Sequence, residues 1–151
     1  MEDDVKKKID EERSKITRED IKDLTKKESK VIDRVKKHGP LADYLEDVKT
    51  FYALIKDYIN GEYTDVPWWT IAAIGAALAY IINPFDVIPD VIPVIGYLDD
   101  AAVLTLCLKM VKKDIEKYKE WKEYKRRSKK GAEEIVSFLS DVFRTFNNNK
   151  R

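Results

Sequence analysis

Residues 67–108 contain no lysine or arginine, in a chain where 38% of residues are charged. This one stretch restricts the fold more than any other feature. It opens with "WWTIAAIGAALAYII", residues 68–82, in which Thr70 is the only polar side chain. A helix that is apolar on all sides must sit in a protein core or in a membrane. Ala72, Ala73, Gly75, Ala76, Ala77 and Ala79 keep its surface thin, which allows neighbouring helices to approach closely. A second apolar run, "AAVLTLCL", fills 101–108. A spanning helix needs about 20 apolar residues, and neither run reaches that length alone. The pair reads as a helical hairpin. It forms either the core of a soluble bundle or a unit dipping into one leaflet, with Trp68 and Trp69 at the interface and Lys109, Lys112 and Lys113 on the cytoplasmic side.

Between the two runs lies "NPFDVIPDVIPVIGYLDD", residues 83–100. Pro84, Pro89 and Pro93 forbid a long continuous helix there. Asp86 and Asp90 adjoin turns, where their side chains can bond nearby backbone amides. Asp99 or Asp100 immediately precedes the second run and can cap it. This is the scaffold reading of the four aspartates. The alternative is a divalent-cation site, since Asp86, Asp90, Asp99 and Asp100 are hard oxygen ligands. In that case the chain would be a cation-binding protein or an enzyme. The EF-hand spacing is absent. A His-rich zinc site is excluded, because His38 is the single histidine. No Ser–His or Cys–His arrangement is evident, no catalytic residue is assigned, and no cofactor is expected beyond that possible cation.

The rest of the chain reads as helices. Residues 2–15 form a charged helix with a thin stripe of Val5, Ile9 and Ile16. Thr17 with Asp20 three residues on resembles a capping box, although Glu or Gln is the usual partner. It would open a helix carrying Ile21, Leu24, Val31, Ile32 and Val35 that ends at Gly39-Pro40. Leu41, Leu45, Val48, Tyr52, Ile55 and Ile59 recur at spacings of three and four, predicting one helix over 41–59 with Gly61 as its C-cap. The second apolar run turns amphipathic and basic through Ile115, Tyr118, Trp121 and Tyr124, and "RRSKKG" closes it. Those aromatics are read as core, so no nucleic-acid binding is expected. Ala132, Ile135, Val136, Leu139, Val142, Phe143 and Phe146 mark a separate terminal helix, followed by a frayed "NNNKR".

Charge is distributed unevenly along the chain. Residues 1–66 carry 15 basic and 17 acidic groups, and residues 109–151 carry 14 basic and 7 acidic groups. A basic end beside an apolar, acidic centre suits an anionic membrane surface or nucleic acid, and its plainer reading is a solvated helix face of mixed charge. The single cysteine, Cys107, excludes an internal disulfide framework and fits a reducing, cytoplasmic setting. The charged N-terminus has no apolar core of the kind a secretory signal needs.

The segment from "GEYTDVPWW" through "KMVKKDIEKYKEW" resembles the YkvA-like family, a bacterial domain of unknown function. The resemblance rests on Gly61, Tyr63, Tyr80, Pro84, Asp86, Ile88, Pro89, Asp90, Gly96, Asp99 and Asp100, and covers roughly residues 44–122. It implies a small, membrane-associated helical protein with no assigned reaction. If the motif residues matter functionally, Asp86, Asp90, Asp99 and Asp100 carry that role, and Tyr80, Pro84, Pro89 and Gly96 are structural. The expected architecture is an all-α bundle. A charged helical extension, its helices peripheral, spans 1–40, the helical domain with the central hairpin and its Pro/Asp connector spans 41–125, and an amphipathic helix with a frayed tail spans 132–151. The apolar hairpin and the 132–146 helix are the surfaces expected to meet a membrane or a protein partner.

Overall fold

The computed structural model describes residues 2–37, 39–82 and 100–150. Among them every element is helical: α1 Glu2–Lys15, α2 Arg18–Thr25, α3 Glu28–Lys37, α4 Gly39–Ala42, α5 Leu45–Ile59, α6 Trp68–Ile82 and α7 Asp100–Asn149. The expected all-α class is what the chain adopts. It divides into two compact units, Met1–Asp114 and Ile115–Arg151.

The first unit is organised around α6. Eleven of its residues are buried, from Thr70 through Ile81. α1, α2, α3 and α5 all pack against it. A helix with no polar face needs cover on every side, and here the charged N-terminal helices supply much of it. Their stripes are thin but largely used: Ile9, Ile21, Leu24, Val31 and Val35 are buried, and Ile16 and Ile32 are half-buried. The N-terminal extension is therefore part of the core rather than a peripheral addition. Gly75 is where the approach is tightest. A methyl group there would lie 2.5 Å from Ile21 Cδ1 and 3.5 Å from Leu24 Cδ1. The small residues of α6 thus receive the N-terminal helices closely.

Local signals explain most of the boundaries. Thr17 caps α2 by accepting from the Asp20 amide at 3.1 Å, while the Asp20 carboxyl accepts from the Thr17 amide at 2.9 Å. Asp can therefore take the usual Glu position in a capping box. Gly61, at φ 76°, follows the end of α5. Its amide bonds Tyr58 O at 3.1 Å and the Glu62 amide bonds Asp57 O at 2.9 Å, the pattern of a Schellman motif.

Three helix boundaries differ from the sequence expectation. The helix predicted from Thr17 to Gly39 is broken at Lys26-Lys27 into α2 and α3. Between Leu24 and Val31 no apolar side chain anchors the turn, and Glu28 instead pairs with Lys56 at 2.7 Å. The helix predicted over 41–59 is split at Asp43-Tyr44, with the short α4 beginning at Gly39. Tyr44 leaves the helical conformation there, at φ −100° and ψ 9°. Its hydroxyl lies 2.6 Å from Thr105 Oγ1. Thr105 already donates to Ala101 O, so Tyr44 is the donor of this bond. Finally, α7 does not close at "RRSKKG", and no separate helix begins at 132. One helix runs to Asn149. Arg and Lys are good helix formers, and an interior glycine costs only about 1 kcal/mol. Gly131 alone therefore does not stop it. Glu123 reinforces this part of the helix through bonds to Arg126 at 2.6 Å and Arg127 at 3.0 Å.

Candidate functional site

Of the predicted site residues, Asp86, Asp90, Asp99, Pro84, Pro89 and Gly96 lie outside the described residues. Asp100 opens α7, and Tyr80 is buried on α6. Among the described residues, no group of three or more His, Cys, Asp or Glu side chains could hold a metal ion. Among the same residues, no helix is long and apolar enough to cross a membrane.

Inside the first unit, three polar contacts fasten the first turns of α7 onto its neighbours. Thr70, the lone polar residue of α6, donates to Asp114 Oδ2 at 2.5 Å. Cys107 Sγ lies 3.7 Å from Ala73 O. Tyr44 reaches Thr105 as described above. Sequence reasoning did not pair Thr70 with Asp114, but it had the signal. A single hydroxyl in an all-apolar helix requires a buried acceptor, and Asp114 stands seven residues after Cys107 on the same helix face. Burial pushes the Cys107 thiol up to about 12, with a small opposing effect from Arg13. That thiol is a structural hydrophobe rather than a nucleophile. Burial also raises the Tyr52 phenol, assisted by the charge of Glu28. Neither group is accessible for chemistry.

Among the described residues, two exposed apolar surfaces stand out. At the start of α6, Trp69 is 55% exposed and Trp68 is borderline. Arg13 stacks over the Trp69 ring at 4.3 Å, and Arg18 lies 5.7 Å from the centre of the Tyr58 ring. Tyr58 in turn meets Trp68, with ring centres 6.1 Å apart. Cations over aromatic faces hold this corner at the modest strength of exposed pairs, about 0.5–1 kcal/mol each.

The larger surface belongs to the second unit, which consists of the remainder of α7 and its end. Ile135, Val136, Phe138, Leu139, Val142, Phe143 and Phe146 are each 50–66% exposed. At 100° per residue they fall on one face, and Ala132, Val136, Leu139, Phe143 and Phe146 repeat at intervals of four and three. No second element exists inside this unit to cover them. Residues 115–130, just before the stripe, carry eight basic and three acidic groups. Within the unit, Tyr118 and Trp121 stack at 5.9 Å, and Lys125 lies 5.8 Å from the Trp121 ring centre. The expectation that Tyr118, Trp121 and Tyr124 are all core holds only for Tyr118. Trp121 is half-buried and Tyr124 is 68% exposed. Arg126 and Arg127 beside Glu123 lower its carboxyl to about 2.

Comparison with known proteins places this arrangement among relatives. The family model described as a protein of unknown function (DUF1232) matches residues 70–106, which include most of α6 and the beginning of α7. The "uncharacterized membrane protein YkvA" of Bacillus subtilis (strain 168) is 38% identical over 78 residues, covering 52% of this chain and 74% of that protein. No solved structure matches the chain.

Proposed function

Because this chain belongs to the YkvA-like family, whose relatives carry no assigned reaction, we propose a function read from its surfaces: a non-enzymatic protein-interaction module. The observation that carries this reading is the exposed stripe from Ile135 to Phe146. Monomeric soluble proteins rarely expose a contiguous apolar patch larger than a few hundred Å², and larger patches mark sites of association. A helix presenting apolar residues at these intervals is a standard form for docking against another helix or a groove. The groups with shifted acidity lend no support to a reaction, since two are buried and the others form a surface ion pair.

A second reading, association with a membrane surface, is favoured by the name of the Bacillus subtilis relative, a membrane protein, and by the basic stretch 115–130. Basic residues near an anionic surface contribute about 1 kcal/mol each. The stripe itself gives this reading less support. Of the side chains bordering it, Ser140, Thr145 and Asn147 are uncharged and Glu133 is acidic, and the rest of the polar face carries Glu134 and Asp141 against one Arg144. Lipid-binding amphipathic helices are usually rich in Lys and Arg on their polar face.

A photo-crosslinking amino acid at Val136, with an identical probe at Lys122 as control, tests the reading in cells. Discrete protein adducts at Val136 alone are expected. Adducts with lipid instead would establish the second reading. Equal labelling at both positions would sink the proposal.

A further inference from the structure

We infer that the occupant of the Ile135–Phe146 face is a second copy of the same face, packed antiparallel about a two-fold axis near Leu139. This rests on the protein-interaction reading and names the partner it leaves open.

The first argument is area. An aromatic side chain offers roughly 200 Å². The three phenylalanines, at 55–66% exposure, therefore contribute roughly 370 Å². The four aliphatic residues add about 60 Å² each on the same exposure. Each copy thus presents about 600 Å², and two copies would bury at most about 1,200 Å², the low end of specific interfaces. That size belongs to weak, transient pairs, and area alone does not set the affinity.

The second argument is shape. Antiparallel pairing about Leu139 sets Ala132 against Phe146 of the other copy, Ile135 against Phe143, and Val136 against Val142. Small residues meet large ones at the ends and medium residues meet at the centre. Such a face is self-complementary, as a two-fold interface requires. Parallel pairing would set Phe146 on Phe146 and leave Ala132 on Ala132 as a gap.

The third argument is charge. In a parallel pair the basic stretch 115–130 would lie beside itself, eight basic groups against eight. Lys122, Lys125 and Lys129 continue the same four-and-three register as the stripe and would meet directly. Antiparallel overlap carries the two basic stretches to opposite ends, beyond the apolar contact. Among the flanking residues the charged Glu133 falls against Thr145 of the other copy, and Ser140 and Asn147 are uncharged, so no like charges meet.

The test is the mass of the full chain by light scattering across about 1–200 μM, which begins at the weak, micromolar end of standard-size interfaces and extends beyond it. Mass should rise from one copy to two. Leu139→Glu with Phe143→Glu should hold it at one copy. Both sites are exposed, and Glu is a good helix former, so helicity should be unchanged. Orientation is read by oxidation: Leu139→Cys, at the two-fold axis, should crosslink, while Ala132→Cys should not. Equal crosslinking of both variants would overturn the antiparallel arrangement. A monomer at every concentration would overturn the second copy altogether. If that monomer still gave stripe-specific protein adducts, the interaction reading would survive without this partner. If it floated with anionic liposomes and Leu139→Glu abolished flotation, the occupant would be lipid.

Discussion

Gly75 offers a quantitative test of whether α6 is a core helix sheathed by the N-terminal helices. Changing Gly75 to Ala in a helix interior gains about 1 kcal/mol in propensity. Against that, the new methyl would stand 2.5 Å from Ile21 Cδ1, and Ile21 is fully buried. Overpacking of this kind costs about 1–3 kcal/mol. The net expectation is a loss of about 1 kcal/mol, softened because Cδ1 is the end of a side chain that can turn. Ile21→Val alone removes that atom and should cost about 1 kcal/mol. Combined, the two changes fit together: the alanine methyl occupies the space vacated by Cδ1. The double variant should lie near wild type, leaving a coupling of about 2 kcal/mol where independent sites would add within ~0.5 kcal/mol. Guanidinium unfolding followed by tryptophan fluorescence measures all four corners of the cycle. Additive losses, or Gly75→Ala stabilising alone by its full propensity, would show that α2 does not press on α6 at this point. That result would reopen the possibility that lipid rather than protein covers this helix.

Two further outcomes follow from the polar contacts of the first unit. Thr70→Val should lose about 1 kcal/mol, because the donor to the half-buried Asp114 disappears. Thr70→Ser should lose less, and equal losses for the two would show that the hydroxyl is not the source. Cys107 should resist alkylation in the native chain and react once it is unfolded. Its folded value near 12 exceeds its ordinary value of 9.0. The stability this represents is therefore fully present below pH 9 and is lost as pH rises toward 12, by roughly 1 kcal/mol per unit. Cys107→Ala should flatten the alkaline decline in that window, and an identical decline in the variant would assign the loss to other groups, Tyr52 first.

What the sequence displays well is what repeats at short range. The periodicity of α5, the all-round apolarity of α6, the Thr17 capping box and the Gly61 turn are each settled within a few residues, and all four recur in the structure. What it displays poorly depends on distant partners. Nothing local to Lys26-Lys27 says that the chain turns there, because the decisive fact is the missing apolar anchor toward α6. The stop assigned to "RRSKKG" gave weight to one glycine in a segment otherwise made of helix formers. The thin stripes of α1 to α3 looked peripheral because a few apolar residues make a weak amphipathic pattern. They are sufficient because the helix they cover is itself apolar on every side. The four-aspartate motif, legible as a family signature, falls outside the described residues except for Asp100 at the start of α7.

The two apolar features of this chain have different physical status, and this bears on how it works. α6 is too apolar to face water, and its small residues let the flanking helices close over it; its burial is intramolecular and contributes to folding. The stripe of α7 is also too apolar to be left in water without consequence, yet its unit contains no element to cover it. A stable helix does not need that stripe, because propensity and ion pairs such as Glu123 with Arg126 sustain helix without it. Seven exposed apolar residues are therefore surplus to folding of the unit that carries them. Their free energy is available only on association, so substitutions there should alter assembly far more than stability. Substitutions along α6 should do the reverse. Measuring unfolding and assembly on the same set of variants separates the two roles, and a stripe variant that lowered stability as much as Gly75→Ala would refute the division.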